Sequence, residues 1–189
     1  MTVTAYSFPR VYERLGMAGA PRKLGCIMLD LEPIPVTSML PADTTYFYGD
    51  DDQNLWYARG PVAEKGAHAT LLYGLTPDEH AGVRERESVD ELLAGLDLSS
   101  VTIADIGHFP GQFGLPYACI IAHVTSPDLI EANRRLRFLP HVDTFLEYRP
   151  HVTLAYVHEG DRETTIPALQ SLVGATLPAT GINYGEPST

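Results

Sequence analysis

Cysteine, tryptophan and basic residues are scarce in this chain, and each scarcity narrows what it can do. Cys26 and Cys119 are the only cysteines among 189 residues, and their spacing fits neither a zinc-ligand pair nor a redox dithiol. Both fall in apolar runs that read as buried strands, so they read as small core residues in a reducing compartment, the cytoplasm. Thirteen Lys and Arg stand against 24 Asp and Glu, a formal charge of −11. That balance repels long polyanions, and no Lys/Arg-rich run offers a track for duplex DNA. No apolar run approaches the roughly 20 residues that cross a membrane. Met1 to Arg10 lack the basic-then-apolar pattern of a secretion signal.

Metal chemistry is not expected either. His80 and His158 read as exposed, and His108, His123 and His141 lack metal-ligand spacing. The run Asp50-Asp51-Asp52 lacks the glycine and closing glutamate of a calcium loop, so it reads as a solvated turn. Neither a metal nor a cofactor is implied by these residues.

What the chain does have is a repeat. His68-Ala69-Thr70-Leu71-Leu72-Tyr73 and His151-Val152-Thr153-Leu154-Ala155-Tyr156 both read H-x-T-L-x-Y, 83 residues apart. Each segment is short, apolar and β-favouring, with Gly74 and Pro150 as punctuation, so each predicts a strand. On a strand, His68 and Thr70 share one face, as do His151 and Thr153. Strict alternation sends Ala69, Leu71 and Tyr73, and Val152, Leu154 and Tyr156, to the opposite face, where the tyrosines read as structural. Histidine titrates nearest neutral pH, so two imidazoles supply one group to take a proton and one to give it. Single His-x-Thr triplets arise by chance; two matched copies at strand positions make His68, Thr70, His151 and Thr153 the candidate catalytic set.

The rest of the chain predicts two similar halves. A buried strand spans Leu24 to Leu31, and a proline-rich insertion follows over about 33–65, long enough to read as a functional loop, with a short hairpin near 46–57. Helix starts are expected at Thr76-Pro77 and, as a capping box, at Ser88-Val89-Asp90-Glu91. Strands follow near 101–109 and 117–124, then a helix opened by Ser126-Pro127-Asp128 that places Leu129, Ala132, Asn133 and Leu136 on one side. After the second motif come a short helix around 166–173, with Pro167 near its start, and a strand near 175–184. The order gives an α+β fold in one domain spanning 1–189: two pseudo-symmetric lobes of antiparallel sheet, helices outside, and a central cleft with one His-x-Thr on each lobe.

The two motifs are similar to those of the 2H phosphoesterase superfamily, the LigT-like and cyclic-phosphodiesterase group. Tyr148-Arg149-Pro150-His151-Val152-Thr153-Leu154 is close to that superfamily's Y-x-P-H-[VI]-T-[LI] form, and Gly66-Ala67-His68-Ala69-Thr70-Leu71 fits less closely but keeps every reacting residue. The likeness covers roughly residues 24 to 185 in layout, with recognisable sequence only at the motifs and a few flanks. It implies metal-independent cleavage of a nucleotide phosphodiester, without cofactor, by two-histidine acid/base catalysis. Thr70 and Thr153 would then hold the non-bridging oxygens.

For substrate contact, Arg59, Lys65 and Arg149 are the cations nearest the motifs, and Tyr148 adjoins the second motif. Trp56 lies 12 residues before His68 in an aromatic-dense segment, and Phe109 lies at the end of the strand expected near 101–109; both suit base stacking. The surroundings Asp143-Thr144-Phe145 resemble the phage anti-CBASS phosphodiesterases, which points to a cyclic oligonucleotide as the partner, in a host cytoplasm. The alternatives are a 2′,3′-cyclic phosphate at an RNA end or on a nucleotide, ADP-ribose 1″,2″-cyclic phosphate, and a module that binds a nucleotide without turning it over.

Overall fold

A computed structural model describes residues 25–48, 60–75, 84–111, 115–141 and 147–185. Six strands carry it: β1 (Gly25–Leu31), β2 (Ala67–Leu75), β3 (Ser100–Pro110), β4 (Tyr117–Thr125), β5 (His151–His158) and β6 (Thr176–Gly185). All pairings are antiparallel, and the order β1-β2-β5-β4-β3-β6 closes on itself. Two three-stranded sheets, β6-β1-β2 and β5-β4-β3, are well paired within themselves. They join through three register pairs between β3 and β6 and a single one, Ala69 with Val152, between β2 and β5. Four helices accompany the strands: α1 (Ala63–Gly66), α2 (Arg84–Leu93), α3 (Leu129–Leu136) and α4 (Arg162–Ala168). Among the described residues, no helix is long and apolar enough to cross a membrane.

Burial follows the pleat. In β1, Gly25, Ile27, Leu29 and Leu31 are buried, while Cys26, Met28 and Asp30 between them are half-buried. The buried face carries the main core and is covered by helices. Leu129, Ala132, Asn133 and Leu136 of α3 are all buried, at the spacing of one helical stripe, and α3 lies against β2. The opposite face carries a smaller cluster of Leu115, Tyr117, Cys119 and Ile121 and leaves the motif residues half-buried.

Three sequence expectations change. Ser88 sits inside α2 rather than capping it, because the Arg84-Glu85-Arg86-Glu87 stretch ahead of it already has helical backbone. Pro167 is near the end of α4, not its start; it removes one of the few hydrogen bonds a seven-residue helix can make, and the chain passes to a 3-10 turn at Gln170–Leu172. The long insertion, read as a functional loop, is in good part an edge filler. Beyond Val152, the outer edge of β5 is taken up by the backbone of residues 45–47 and 60–62: Phe47 N–H donates to the Tyr156 carbonyl, Tyr156 N–H to Gly60, His158 N–H to Thr45 and Val62 N–H to Leu154. The start expected at Thr76-Pro77 and the second arm of the 46–57 hairpin lie outside the described residues.

Each motif strand also departs from regular pairing at the same place. Thr70 pairs with Met28 and Leu72 with Ile27, so Leu71 is an extra residue in β2. Thr153 pairs with Ile121 and Ala155 with Ile120, so Leu154 is the extra residue in β5. A bulge advances the alternation by one. Leu71 and Leu154 lie in the core with 0 % exposure, as alternation expects, Leu72 and Ala155 join them there, and Tyr73 and Tyr156 turn onto the face of the histidines and threonines, contrary to that expectation. The backbone carbonyl at each bulge needs its own donor. Asn133 Nδ2 donates to Leu71 at 2.6 Å, and Val62 N–H donates to Leu154 at 3.0 Å.

Asn133→Ala removes the donor from a buried carbonyl, so it should lower stability by about 1–3 kcal/mol. Urea unfolding with an unchanged slope and a lower midpoint is the expected result. An unmoved midpoint would mean that the bulge does not rely on this bond.

Candidate active site

The single pairing of Ala69 with Val152 fixes the geometry of the four candidate groups. With the strands antiparallel, the neighbours of that pair face each other across the seam: His68 opposite Thr153, and Thr70 opposite His151. Ala69 and Val152 point into the core at 0 % exposure, so all four neighbours point the other way, and all four are half-buried. Side chains directly opposite in such a ladder stand about 5 Å apart at Cβ. Each imidazole therefore has the other motif's hydroxyl across from it, a diagonal arrangement around one point.

The register extends the duplication beyond the motifs. Beside β2, Asp30 pairs with His68, Met28 with Thr70 and Cys26 with Tyr73. Beside β5, His123 pairs with His151, Ile121 with Thr153 and Cys119 with Tyr156. Cys26-Ile27-Met28-Leu29-Asp30 thus matches Cys119-Ile120-Ile121-Ala122-His123 in place, and in apolar type except for Asp30 against His123. Sequence reasoning missed Asp30, His123 and Cys119 as members of the site face. A shared Cys-Ile pair four residues ahead of Asp30 and His123 was the available signal, hidden because the loops joining β1 to β2 and β4 to β5 differ in length.

His151 is the best-defined group. Its Nδ1 lies 2.8 Å from the Arg149 carbonyl, which can only accept, so Nδ1 carries the proton and donates. Nε2 remains as the acceptor. Burial pulls the His151 pKa below its ordinary value of 6.5; the Arg149 carbonyl opposes this, and the charges of His123 and His68 add to it. The Phe109 ring meets His151 edge-on, with centroids 5.0 Å apart at 84°. His123 lies over Gly107, where any Cβ would come within 3.2 Å of its Nε2, so the missing side chain makes room for the ring. Cys119 Sγ is 3.9 Å from Thr153 Oγ1, and burial pushes its thiol up to about 11, which keeps it protonated and rules it out as a nucleophile at neutral pH.

The predicted substrate contacts divide. Phe109 is at the site, against His151 and 39 % exposed. Tyr148 is half-buried and its phenol donates to the Thr70 carbonyl at 3.0 Å, so it ties the approach to β5 onto β2 and is a clamp rather than a free contact. Burial raises its pKa, which keeps the donor protonated. The Arg149 guanidinium is paired with Glu147 at 2.7 Å, while the Arg149 carbonyl orients His151. Lys65 is exposed at the end of α1, three residues ahead of His68. Trp56 and Arg59 lie outside the described residues. A cavity of about 290 Å³ adjoins this region, lined in part by His123, Ser126, Ile130, Tyr148, Arg149 and Pro150. Among the described residues, no group of three or more His, Cys, Asp or Glu is placed to hold a metal ion.

Taken together, six antiparallel strands in two lobes with helices on one face form an α+β fold. Among solved structures, the chain is similar to that of Kluyveromyces marxianus Usb1 with uridine monophosphate, with a TM-score of 0.54 and 8% identity over 90% of this chain and 97% of that one. A second Usb1 structure from the same organism matches with a TM-score of 0.51 and 10% identity over 89% and 96%. At such identities the likeness is one of fold. No protein family and no curated sequence matches the chain.

Tyr148→Phe keeps the ring and deletes the donor to Thr70. The expected loss is about 0.5–1.5 kcal/mol in thermal or urea unfolding. A neutral result would show that the phenol does not hold the seam.

Proposed function

We propose that the chain is a phosphodiesterase acting on a small nucleotide ester through His68 and His151. The observation that carries this reading is the diagonal placement of two imidazoles and two hydroxyls on one half-buried face across the β2–β5 seam. A phosphate centred between the strands meets an imidazole from each side and a hydroxyl from each motif. One imidazole takes the proton from the nucleophile, water or a ribose hydroxyl, as its oxygen bonds to phosphorus. The bond to the leaving oxygen breaks, and the other imidazole gives that oxygen its proton. Thr70 and Thr153 donate to the non-bridging oxygens, where negative charge builds. In this scheme the charge on the non-bridging oxygens is met by the two hydroxyls and a protonated imidazole, and no step calls for a metal.

Several features support a small substrate. The formal charge of −11 opposes long polyanions. The exposed ring of Phe109 offers an apolar face next to His151. A protein of similar fold has been seen with uridine monophosphate, a single nucleotide. Ribonucleotide ends and 2′,3′-cyclic phosphates fit this reading directly. A cyclic oligonucleotide, suggested by the residues ahead of the second motif, presents the same phosphodiester in a larger ring.

The test is turnover in excess EDTA of cyclic dinucleotides, cyclic trinucleotides, 2′,3′-cyclic mononucleotides and RNA ending in a 2′,3′-cyclic phosphate. His68→Ala and His151→Ala should each lower the rate by about 10²–10⁴-fold with the fold retained. Unchanged turnover in either variant would sink the two-histidine mechanism. Binding without turnover of any substrate would leave a nucleotide-binding module in its place.

A further inference from the structure

We infer that the cavity of about 290 Å³ beside His123 is a subsite for one nucleobase of the substrate, on the His151 side of the phosphate. The inference rests on the phosphodiesterase reading and deepens it, by naming the group recognised next to the reacting centre. The cavity forms where β4 ends. From Thr125 the chain turns through Ser126-Pro127-Asp128 into α3, and Tyr148, Arg149 and Pro150 lead into β5. The first turn of α3 and this approach to β5 enclose the cavity between them. Val124 N–H donates to the Pro150 carbonyl at 3.1 Å and ties the two segments together.

Two kinds of surface meet there. Leu129, Ile130, Pro150 and the Tyr148 ring supply apolar walls, while His123 and Ser126 bring polar atoms. Flat heterocycles are held in this way, with apolar side chains against the ring and a few polar groups at its edge. The volume suits that occupant. Drug-sized ligands fill pockets of about 300–1,000 Å³, so a cavity at the bottom of that range takes a ring system and not a whole dinucleotide. The walls are set before a ligand arrives, which lowers the cost of ordering them. The Tyr148 phenol is committed to the Thr70 carbonyl at 3.0 Å, Leu129 is fully buried, and the Ser126 hydroxyl donates to the Asp97 carbonyl at 3.4 Å. Ile130, by contrast, is 56 % exposed, a large apolar side chain that an occupant would cover.

Continuity with the candidate site favours a base of the substrate over an unrelated guest. His123 lines the cavity and also pairs with His151 in the β4–β5 ladder, where opposed side chains stand about 5 Å apart at Cβ. A ring seated against His123 can therefore stay joined, through its ribose, to a phosphate held between the imidazoles. A second phosphate is a poorer guest, because the Arg149 guanidinium at the cavity is already paired with Glu147 at 2.7 Å. The duplication also lapses at this place. Tyr148-Arg149-Pro150 precede His151, whereas Lys65-Gly66-Ala67 precede His68, with no ring to match Tyr148 or Pro150. These walls belong to the second motif alone, so the nucleoside on the His151 side is the one recognised by them.

The test is a ¹H–¹⁵N NMR titration of the full chain with each of the four ribonucleoside 3′-monophosphates and, separately, with inorganic phosphate. The nucleotides should move the amide signals of Ser126, Leu129 and Ile130 together with those of the motif strands, and phosphate those of the motif strands alone. Ile130→Trp fills the mouth of the cavity from an exposed position. It should weaken nucleotide binding by about tenfold or more and leave phosphate binding as it was. Phe109 is the rival seat for the base. Nucleotide shifts confined to the surroundings of Phe109, with binding lost in Phe109→Ala and kept in Ile130→Trp, would overturn the inference, as would movement of the α3 amides by phosphate. The wild-type shifts alone decide if a variant fails to fold. Shifts at α3 without turnover of any diester would retain the base subsite and discard the phosphodiesterase reading. Turnover with no shift at α3 would do the reverse.

Discussion

One backbone pairing, Ala69 with Val152, sets everything that follows at the site. It is the only register pair between the two motif strands, and it sits at the middle residue of both His-x-Thr triplets. Antiparallel pairing at that residue puts each histidine opposite the other motif's threonine; parallel pairing would have set histidine against histidine. A slip of one residue would send the two triplets to opposite faces. Both middle residues are completely buried, so the helix-covered core itself holds the register. Tyr148, donating to Thr70 across the same seam, fastens it from the other side.

The duplicated strand is more than a pair of reacting residues. Each H-x-T-L-x-Y segment forms a strand with a bulge at its leucine, and the bulge serves two ends at once. It brings Leu72 and Ala155 into the core beside Leu71 and Leu154, and it turns Tyr73 and Tyr156 onto the site face. The freed carbonyls are satisfied by unrelated devices, a helix side chain at Leu71 and an insertion backbone at Leu154. That difference is informative: the backbone shape is duplicated, but the structure that supports it is not. The proline-rich insertion acquires a purpose by the same reasoning. With β2 meeting β5 at one residue pair only, the rest of the β5 edge would be unpaired without residues 45–47 and 60–62.

Much of this was legible in the sequence. The six strands, the buried stripe of α3 and the four motif residues followed from periodicity and from the repeat, because those signals are local. Tyr73 and Tyr156 were misplaced because a bulge is set by the partner strand, which a period-two reading does not see. Asp30 and His123 were passed over for a related reason. Each is an ordinary residue in an apolar run until the register sets it beside a motif histidine, and unequal connections hid the matching Cys-Ile pairs. Arg149 has a second part that proximity in sequence did not show: its guanidinium meets Glu147 and its carbonyl orients the neighbouring ring.

That arrangement bears on how an acidic protein holds an anion. The cation nearest the second motif is paired with a carboxylate, and the face between the lobes presents hydroxyls, imidazoles and an aromatic ring. A phosphate placed on that face can draw positive charge from a protonated imidazole. Binding and protonation are then linked, since an anion placed between the rings favours the charged form of whichever ring carries the proton. The overall charge works in the same direction, because a long polyanion is repelled at a distance while a single phosphodiester needs only the local field of the site. In the proposed reaction, the positive charge an imidazole brings to the phosphate is also the proton it transfers.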